Sequence, residues 1–145
     1  SIGGVFALVL SGSYMVGYGA GTSCNTWPLC RGSIMPLETA YSIHMGHRFI
    51  AMIVAALIVM LSFTAWEQRV QSQSIAWAGG FLIFVFAIQV VVGAITVWTS
   101  FTPETKAIHL SFATLVWVAL IFMTCLVYFS RFQRKYDTPK PTMNG

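Results

Sequence analysis

Charged side chains are scarce in this sequence. Of its 145 residues, eight are Lys or Arg and four are Asp or Glu, so charged residues make up 8% of the chain. Hydrophobic residues make up 57%, and the mean hydropathy of +0.74 is far above what the core of a soluble protein requires. This composition argues against an ordinary soluble domain and predicts a protein that crosses a membrane several times.

The hydrophobic residues are gathered into four long apolar stretches, at about 2–19, 40–66, 75–99 and 106–129. Each stretch is long enough to cross a hydrocarbon core about 30 Å thick. Lipid cannot satisfy unpaired backbone N–H and C=O groups, so helices are the natural structure for these spans. The sequence therefore predicts an all-α, polytopic membrane protein. We expect a four-transmembrane-helix bundle over 1–130, a basic tail over 131–145, and no room for a soluble domain.

The positions of Lys and Arg predict the orientation of the bundle. Five basic residues fall on one side of the predicted membrane and two on the other. The five are Arg69, Arg131, Arg134, Lys135 and Lys140, and the two are Arg31 and Lys106. The positive-inside rule then places both termini in the cytoplasm. We therefore interpret the net charge of +4 as a feature of the membrane topology, and nothing in it points to nucleic acid. Because the chain opens at Ser1 without Met, we expect processing or a fragment.

A glycine-rich loop over 17–32 follows the first apolar stretch. On the predicted orientation it faces the oxidising side of the membrane, where Cys24 and Cys30, with five residues between them, can close a small disulfide ring. The pair could be a structural staple, a redox-active dithiol or two free thiols. Its spacing differs from the Cys-x-x-Cys of thiol oxidoreductases. Cys125, inside the fourth stretch, is predicted to be a small core residue.

Two of the three histidines, His47 and His109, lie just inside the starts of the second and fourth apolar stretches. A coordinating side chain within a membrane span is costly, so it indicates a functional site. At 1.5 Å per residue, His47 lies roughly 10 Å and His109 roughly 6 Å along helices that run in the same direction. Two imidazoles at matching depth in a four-helix bundle are what the axial ligation of a haem iron needs. Hydrogen bonding to a neighbour is the simpler alternative for either histidine.

Basic residues on the outer side could pair with the propionates of such a haem. Arg48 is the first candidate and Arg31 or Lys106 the others, since a guanidinium suits bidentate pairing with a carboxylate. His44, one turn before His47, is either a supporting or substrate-side group or a simple interfacial histidine. A zinc site is less favoured, because no carboxylate or thiolate accompanies the imidazoles at matching depth.

A polar stripe runs along the third stretch, at Gln89, Gly93 and Thr96. Small and hydrogen-bonding residues of this kind commonly serve helix packing in membranes. The alternative is that the stripe lines a cofactor pocket.

As a set, these motifs resemble the heme A synthase family. The resemblance rests on Gly-Tyr-Gly-Ala-Gly-Thr-Ser-Cys-Asn-Thr-Trp-Pro-Leu-Cys-Arg-Gly, His-Met-Gly-His-Arg, Gln-Val-Val-Val-Gly-Ala-Ile-Thr-Val and His-Leu-Ser-Phe-Ala, which cover all four spans in the family's order. It implies a protein built of two similar four-helix halves. One half carries a b-type haem for electron transfer, and the other binds heme O and oxidises a ring methyl to a formyl group.

The resemblance is to the C-terminal, haem-b-binding half. In the family's substrate-binding half a glutamate stands three residues before the first ligand histidine, and here that position is His44. The resemblance implies that His47 and His109 are the axial ligands of haem b, with Arg48, His44 and Gln89 at the cofactor. It also implies a disulfide between the two loop cysteines over the haem. No residue is assigned a catalytic role.

Three functions follow from these features. The first is heme A synthesis, with heme O or heme b in the bundle and a second four-helix half or a homodimer partner in the lipid bilayer. The second is a non-catalytic b-type haem subunit of a larger respiratory complex. The third is a quinone-linked thiol oxidant that uses Cys24 and Cys30. A haem spectrum separates the third from the first two, and conversion of heme O separates those two.

Overall fold

The computed structural model describes residues 1–34, 37–70 and 72–136, and within these ranges the fold is helical. Its four α-helices are α1 (Ile2–Gly17), α2 (Thr39–Glu67), α3 (Gln73–Trp98) and α4 (Pro103–Tyr136). A short 3₁₀ turn, Ala20–Thr22, follows α1. The all-α prediction is confirmed for the described residues, and each apolar stretch forms a helix.

The helix ends reflect local sequence. Gly19, at φ +79°, takes the left-handed conformation that turns the chain after α1. Pro103 opens α4, where its missing N–H costs no intrahelical hydrogen bond. Thr102 precedes it and accepts a hydrogen bond from the backbone N–H of Thr105 at 3.4 Å. Phe101, at φ +60°, lies in the turn between α3 and α4, and its ring lies beside Gly21 of the loop that follows α1.

Three helices in the described part of the chain are long and apolar enough to cross a membrane: α2, α3 and the segment Pro103–Gln133 of α4. Helix α1 is apolar but has 16 residues, so a fourth span stays a prediction. Helix α4 continues past the predicted end of its span, into the first residues of the basic tail. Residues 137–145 of that tail lie outside the described residues.

The helices pack in chain order, α1 on α2, α2 on α3 and α3 on α4, whereas α1 and α4 share a much smaller contact. We call α1 with α2 the first hairpin and α3 with α4 the second hairpin. The main apolar core includes side chains at most 2% exposed, among them Ile58, Leu82 and Leu120. This core lies largely beyond the histidines, away from the loop. A second, smaller apolar cluster of Cys24, Cys30 and Met45 lies at the loop end.

The two hairpins come into close contact at Gly79. A Cβ added at Gly79 would lie 2.9 Å from the Cβ of Ala65, and the hydroxyl of Ser62 donates a hydrogen bond to the Gly79 carbonyl at 3.0 Å. Real Cβ atoms do not approach this closely, so only glycine lets α2 and α3 touch here.

Substituting Gly79→Ala is expected to destabilise the bundle by about 1–3 kcal/mol, because overpacking forces the helices apart. Thermal unfolding in detergent would measure the loss. Gly80→Ala is the matched control, since a Cβ at that neighbouring position meets no atom within 4 Å. Equal unfolding temperatures for the two variants would contradict the close approach of α2 and α3.

Candidate cofactor site

The loop over 17–32 is closed by a disulfide between Cys24 and Cys30, with a Cα–Cα distance of 5.1 Å. Both cysteines are 1% exposed, and they pack with Met45, Tyr41 and Phe49 of α2. The predicted disulfide is therefore present in the structure. Its burial suits a staple that fixes the loop on the start of α2.

Cys125 is exposed on α4, so the prediction that it is a core residue is wrong. It shares its face of the helix with Phe122 and Phe129, which are 60% and 63% exposed. Residues three and four apart on a helix lie on one face, and all three members of this face are exposed. Apolar sequence alone does not separate a core face from a lipid-facing one in a membrane helix.

Replacing both Cys24 and Cys30 with serine is expected to destabilise the loop over 17–32 by about 2–3 kcal/mol, the range for a short disulfide-closed loop. Limited proteolysis within the loop would measure this as faster cleavage. Cys125→Ser is the control, because that thiol forms no disulfide in the described chain. Mass spectrometry without reduction tests the bond itself, and two free loop thiols in the native protein would contradict it.

His44 joins this loop to α2. It is 2% exposed, and its Nδ1 donates a hydrogen bond to the Ala20 carbonyl at 3.2 Å. Its Nε2 accepts a hydrogen bond from Nη2 of Arg48 at 3.2 Å, and the ring of Phe101 lies edge-on to it at 5.7 Å. Both ring nitrogens are thus engaged by the protein, which leaves His44 no free nitrogen for a metal.

The cationic residues predicted to pair with propionates, Arg48, Arg31 and Lys106, have distinct surroundings. Nη1 of Arg48 donates a hydrogen bond to the Pro28 carbonyl at 2.8 Å, so the guanidinium lies under the loop. Arg31 lies over the ring of Tyr41, 5.0 Å from its centroid. Lys106 is exposed near the start of α4. Of these three residues, Arg48 is the one that hydrogen-bonds to His44, which lies one helical turn before His47.

His47 faces α1. Its Nδ1 lies 2.8 Å from Oγ of Ser11, and that hydroxyl donates its proton to the Leu8 carbonyl at 2.8 Å. A hydroxyl has one proton, so the Nδ1–H of His47 is the donor to Ser11 and the lone pair is on Nε2. A Cβ added at Gly12 would lie 3.1 Å from Cε1 of His47. The imidazole therefore lies close to Gly12, and a side chain at this position would require the ring to shift by a few tenths of an ångström.

His109 has the same relation to α3. A Cβ added at Gly93 would lie 3.1 Å from Cε1 of its ring. The side-chain amide of Gln89 lies 3.3 Å from its Nε2. Nδ1 of His109 and Oε1 of Gln89 are buried and have no hydrogen-bond partner. Buried polar atoms are nearly always paired in native proteins, so these two indicate that a binding group belongs here.

The two hairpins therefore have matching arrangements. Each places a glycine on its first helix against an imidazole on its second, and His47 and His109 are near enough for their charges to interact. Among the described residues, no three His, Cys, Asp or Glu side chains gather to hold a metal ion. One imidazole in each hairpin, a glycine against each ring and two unpaired buried polar atoms fit a planar cofactor whose iron takes two axial ligands.

Sequence reasoning named both histidines but missed Ser11 and Gly12. Both lie on α1, and nothing in the sequence pairs them with His47, 35 and more residues away. The residues of the polar stripe on α3 have different roles. Gln89 and Gly93 lie against His109, whereas Oγ1 of Thr96 donates to the Val92 carbonyl at 2.8 Å, so Thr96 serves packing.

These features define a class: helical membrane proteins with a half-buried histidine pair near a disulfide-closed loop. Residues 37–121 match the family model named COX15-CtaA, described as cytochrome oxidase assembly protein. That match covers more than half of the chain, and it includes both histidines. The chain belongs to the COX15-CtaA family of cytochrome oxidase assembly proteins.

Individual relatives agree with this assignment. The heme A synthase of Alkalihalophilus pseudofirmus is 27% identical over 128 residues, which are 86% of this chain and 43% of that protein. The heme A synthase of Macrococcus caseolyticus is 26% identical over 125 residues, 85% of this chain and 42% of that protein. A protoheme IX farnesyltransferase of Haloarcula marismortui is 32% identical over 112 residues, 74% of this chain and 23% of that protein.

The chain spans less than half the length of these relatives. No solved structure matches it. The relatives support a membrane protein of heme A biosynthesis, and the activity of a whole heme A synthase is a separate question for this chain.

Proposed function

We propose that this chain is the four-helix half of a heme A synthase-type protein that carries haem b, with His47 and His109 as the axial ligands of its iron. The observation that carries the proposal is the pair of imidazoles, one in each hairpin, each lying against a glycine. When bound, haem b supplies one-electron transfer. The chain's own residues bind it, orient it and keep water away from it.

The contacts support distinct roles for the residues around the pair. Ser11 accepts the Nδ1–H of His47 and so holds the ring in the tautomer that presents Nε2 to iron. Gly12 and Gly93 leave the width that the imidazoles and a flat macrocycle need. Gln89 contacts His109 directly. Together these residues would line one binding site between the two hairpins.

Arg48 is proposed to face the propionates at the outer end of the site. His44 and Pro28 each take one of the five N–H donors of its guanidinium, so further donors remain for a carboxylate. His44 acts at the cofactor through Arg48, since both nitrogens of its own ring are occupied. This arrangement puts the charged ends of the cofactor beside the loop and its apolar body among the helices.

The proposed topology has four spans, both termini in the cytoplasm and the cysteine loop on the outer side. Helix α1 would be the fourth span, and the positive-inside count supports the orientation. The proposed surroundings are the lipid bilayer together with a second four-helix half, a homodimer partner or a larger respiratory complex. Oxidation of the heme O methyl to the formyl of heme A would take place in such an assembly.

A non-catalytic b-type haem subunit is the second candidate. The observation in its favour is His44, which stands where the substrate-binding half of the family has a glutamate and is bonded on both nitrogens. A thiol oxidant is less favoured, because Cys24 and Cys30 are each 1% exposed.

An absorption spectrum of the purified chain, expressed with haem available, tests the proposal. A low-spin spectrum typical of two imidazole ligands is the expected result, and a protein that binds no haem overturns both candidates. Incubating the loaded protein with heme O, an electron donor and oxygen then separates the candidates. Formation of heme A favours the synthase, whereas an unchanged heme O favours the electron-transfer subunit.

A further inference from the structure

We propose that the two hairpins hold their histidines unequally: Ser11 presets His47 for iron, whereas Gln89 holds His109 and must release it before that ring can ligate. The inference rests on the proposed function, because it assigns both imidazoles to one haem. It adds an order of ligation and two positioning residues.

The Ser11 contact leaves His47 ready to ligate. The hydroxyl gives its one proton to the Leu8 carbonyl, so it can only accept from Nδ1 of His47. A partner at Nδ1 fixes the tautomer and the ring orientation of a ligand histidine and raises the basicity of its other nitrogen. Nε2 of His47 therefore carries an available lone pair before any cofactor arrives.

The Gln89 contact leaves His109 in the opposite state. The side-chain amide of Gln89 lies 3.3 Å from Nε2 of His109. Exchanging the amide nitrogen and oxygen would reverse the direction of this hydrogen bond, but Nε2 of His109 would be engaged in either case. Ligation through Nε2 requires the amide to move away. The contact holds the ring weakly, because it is a single long hydrogen bond and leaves Oε1 of Gln89 and Nδ1 of His109 buried without partners.

The two contacts set the order in which the histidines engage. His47 binds first, through a nitrogen that is already free. His109 follows, once Gln89 has released it, and completes the pair. Loading therefore passes through a stage with one histidine ligand, which is high-spin, before it reaches the low-spin stage with two.

Stopped-flow absorption with the full 145-residue chain in detergent and ferric haem b as the probe tests this order. The wild type is expected to load in two phases, a concentration-dependent high-spin phase and then a concentration-independent change to low spin. Gln89→Leu is expected to speed the second phase several-fold, since no amide has to leave. Gln73→Leu, an exposed position at the far end of α3, is expected to match the wild type.

Ser11→Ala is tested in the same assay and by redox titration. Loss of the Nδ1 partner is expected to weaken haem binding by about 10- to 100-fold and to shift the midpoint potential to a more positive value, because a less basic ligand stabilises ferric iron less. Ser11→Thr keeps the hydroxyl and is expected to restore both values. Ser13→Ala, an exposed serine two residues along α1, is the control.

The outcomes separate the inference from the proposed function. A wild type that binds no haem overturns the proposed function and the inference together. A wild type that reaches the low-spin spectrum in one phase, or a Gln89→Leu variant with a slower second phase, overturns the inference alone. An unchanged affinity and potential in Ser11→Ala overturns the role of Ser11. If Gln89→Leu does not fold, Gln89→Asn, whose shorter amide cannot reach His109, replaces it.

Discussion

Replacing His47 or His109 with alanine is expected to abolish the low-spin haem spectrum. Each histidine supplies one of the two ligands that the proposed site offers, and no third His, Cys, Asp or Glu stands close enough in the described chain to form a ligand group with them. A single substitution leaves one ligand, so the remaining haem becomes high-spin and, once reduced, binds carbon monoxide. The double substitution is expected to lose haem entirely. Absorption spectra with and without carbon monoxide measure all three variants.

Two controls make this result specific. His44→Ala removes the third histidine of the chain, and the spectrum is expected to stay low-spin because both nitrogens of His44 are bonded to the protein. Added imidazole is expected to restore the low-spin spectrum of His47→Ala by entering the space that the side chain leaves. A low-spin spectrum that persists without His47 and disappears without His44 would reject the proposed ligand pair.

Filling the glycine-lined space is expected to have the next largest effect. A Cβ at Gly12 or Gly93 would lie 3.1 Å from an imidazole Cε1, and valine adds two methyl groups beyond it. Overpacking of this kind costs about 1–3 kcal/mol, which corresponds to roughly a 5- to 150-fold loss of haem affinity if the ring is displaced. Equilibrium titration with haem b measures the loss for Gly12→Val and Gly93→Val.

Two other glycines on α1 and α3 provide matched controls for these substitutions. A Cβ at Gly3 on α1 or at Gly80 on α3 meets no atom within 4 Å, so Gly3→Val and Gly80→Val should bind haem as the wild type does. Circular dichroism and size exclusion establish that each variant is folded. If Gly93→Val and Gly80→Val weaken binding equally, the effect belongs to helix α3 in general and the proposed close approach is wrong.

Much of the architecture could be predicted from the sequence, because long apolar runs leave few alternatives in lipid. The stretch predicted over 40–66 is helix Thr39–Glu67, and the stretch over 75–99 is Gln73–Trp98. The fourth helix runs longer than expected, through Tyr136. Hydropathy falls where the basic tail begins, but a helix can continue into water with no change in its backbone hydrogen bonding.

The contacts of the site were harder to predict. His47 and His109 stand out because imidazoles are rare and costly in apolar spans. Ser11 and Gly12 carry no such signal, because small residues are common along membrane helices whatever they touch. The face of α1 that meets His47 depends on how the first hairpin closes. For the same reason the exposure of Cys125 was missed, since the rotation of α4 about its axis is set by its neighbours.

Because α1 and α4 share only a small contact, the histidine pair could also help to hold the two hairpins together. The hairpins touch mainly along α2 and α3, and a cofactor bound to His47 and His109 would bridge them a second time. Such a bridge stabilises the folded chain by mass action, by about 4 kcal/mol when free haem is a thousandfold above its dissociation constant. Molecules without haem would open and meet the membrane proteases sooner. The amount of this protein in a cell would then follow the haem supply, with no regulator of its gene required.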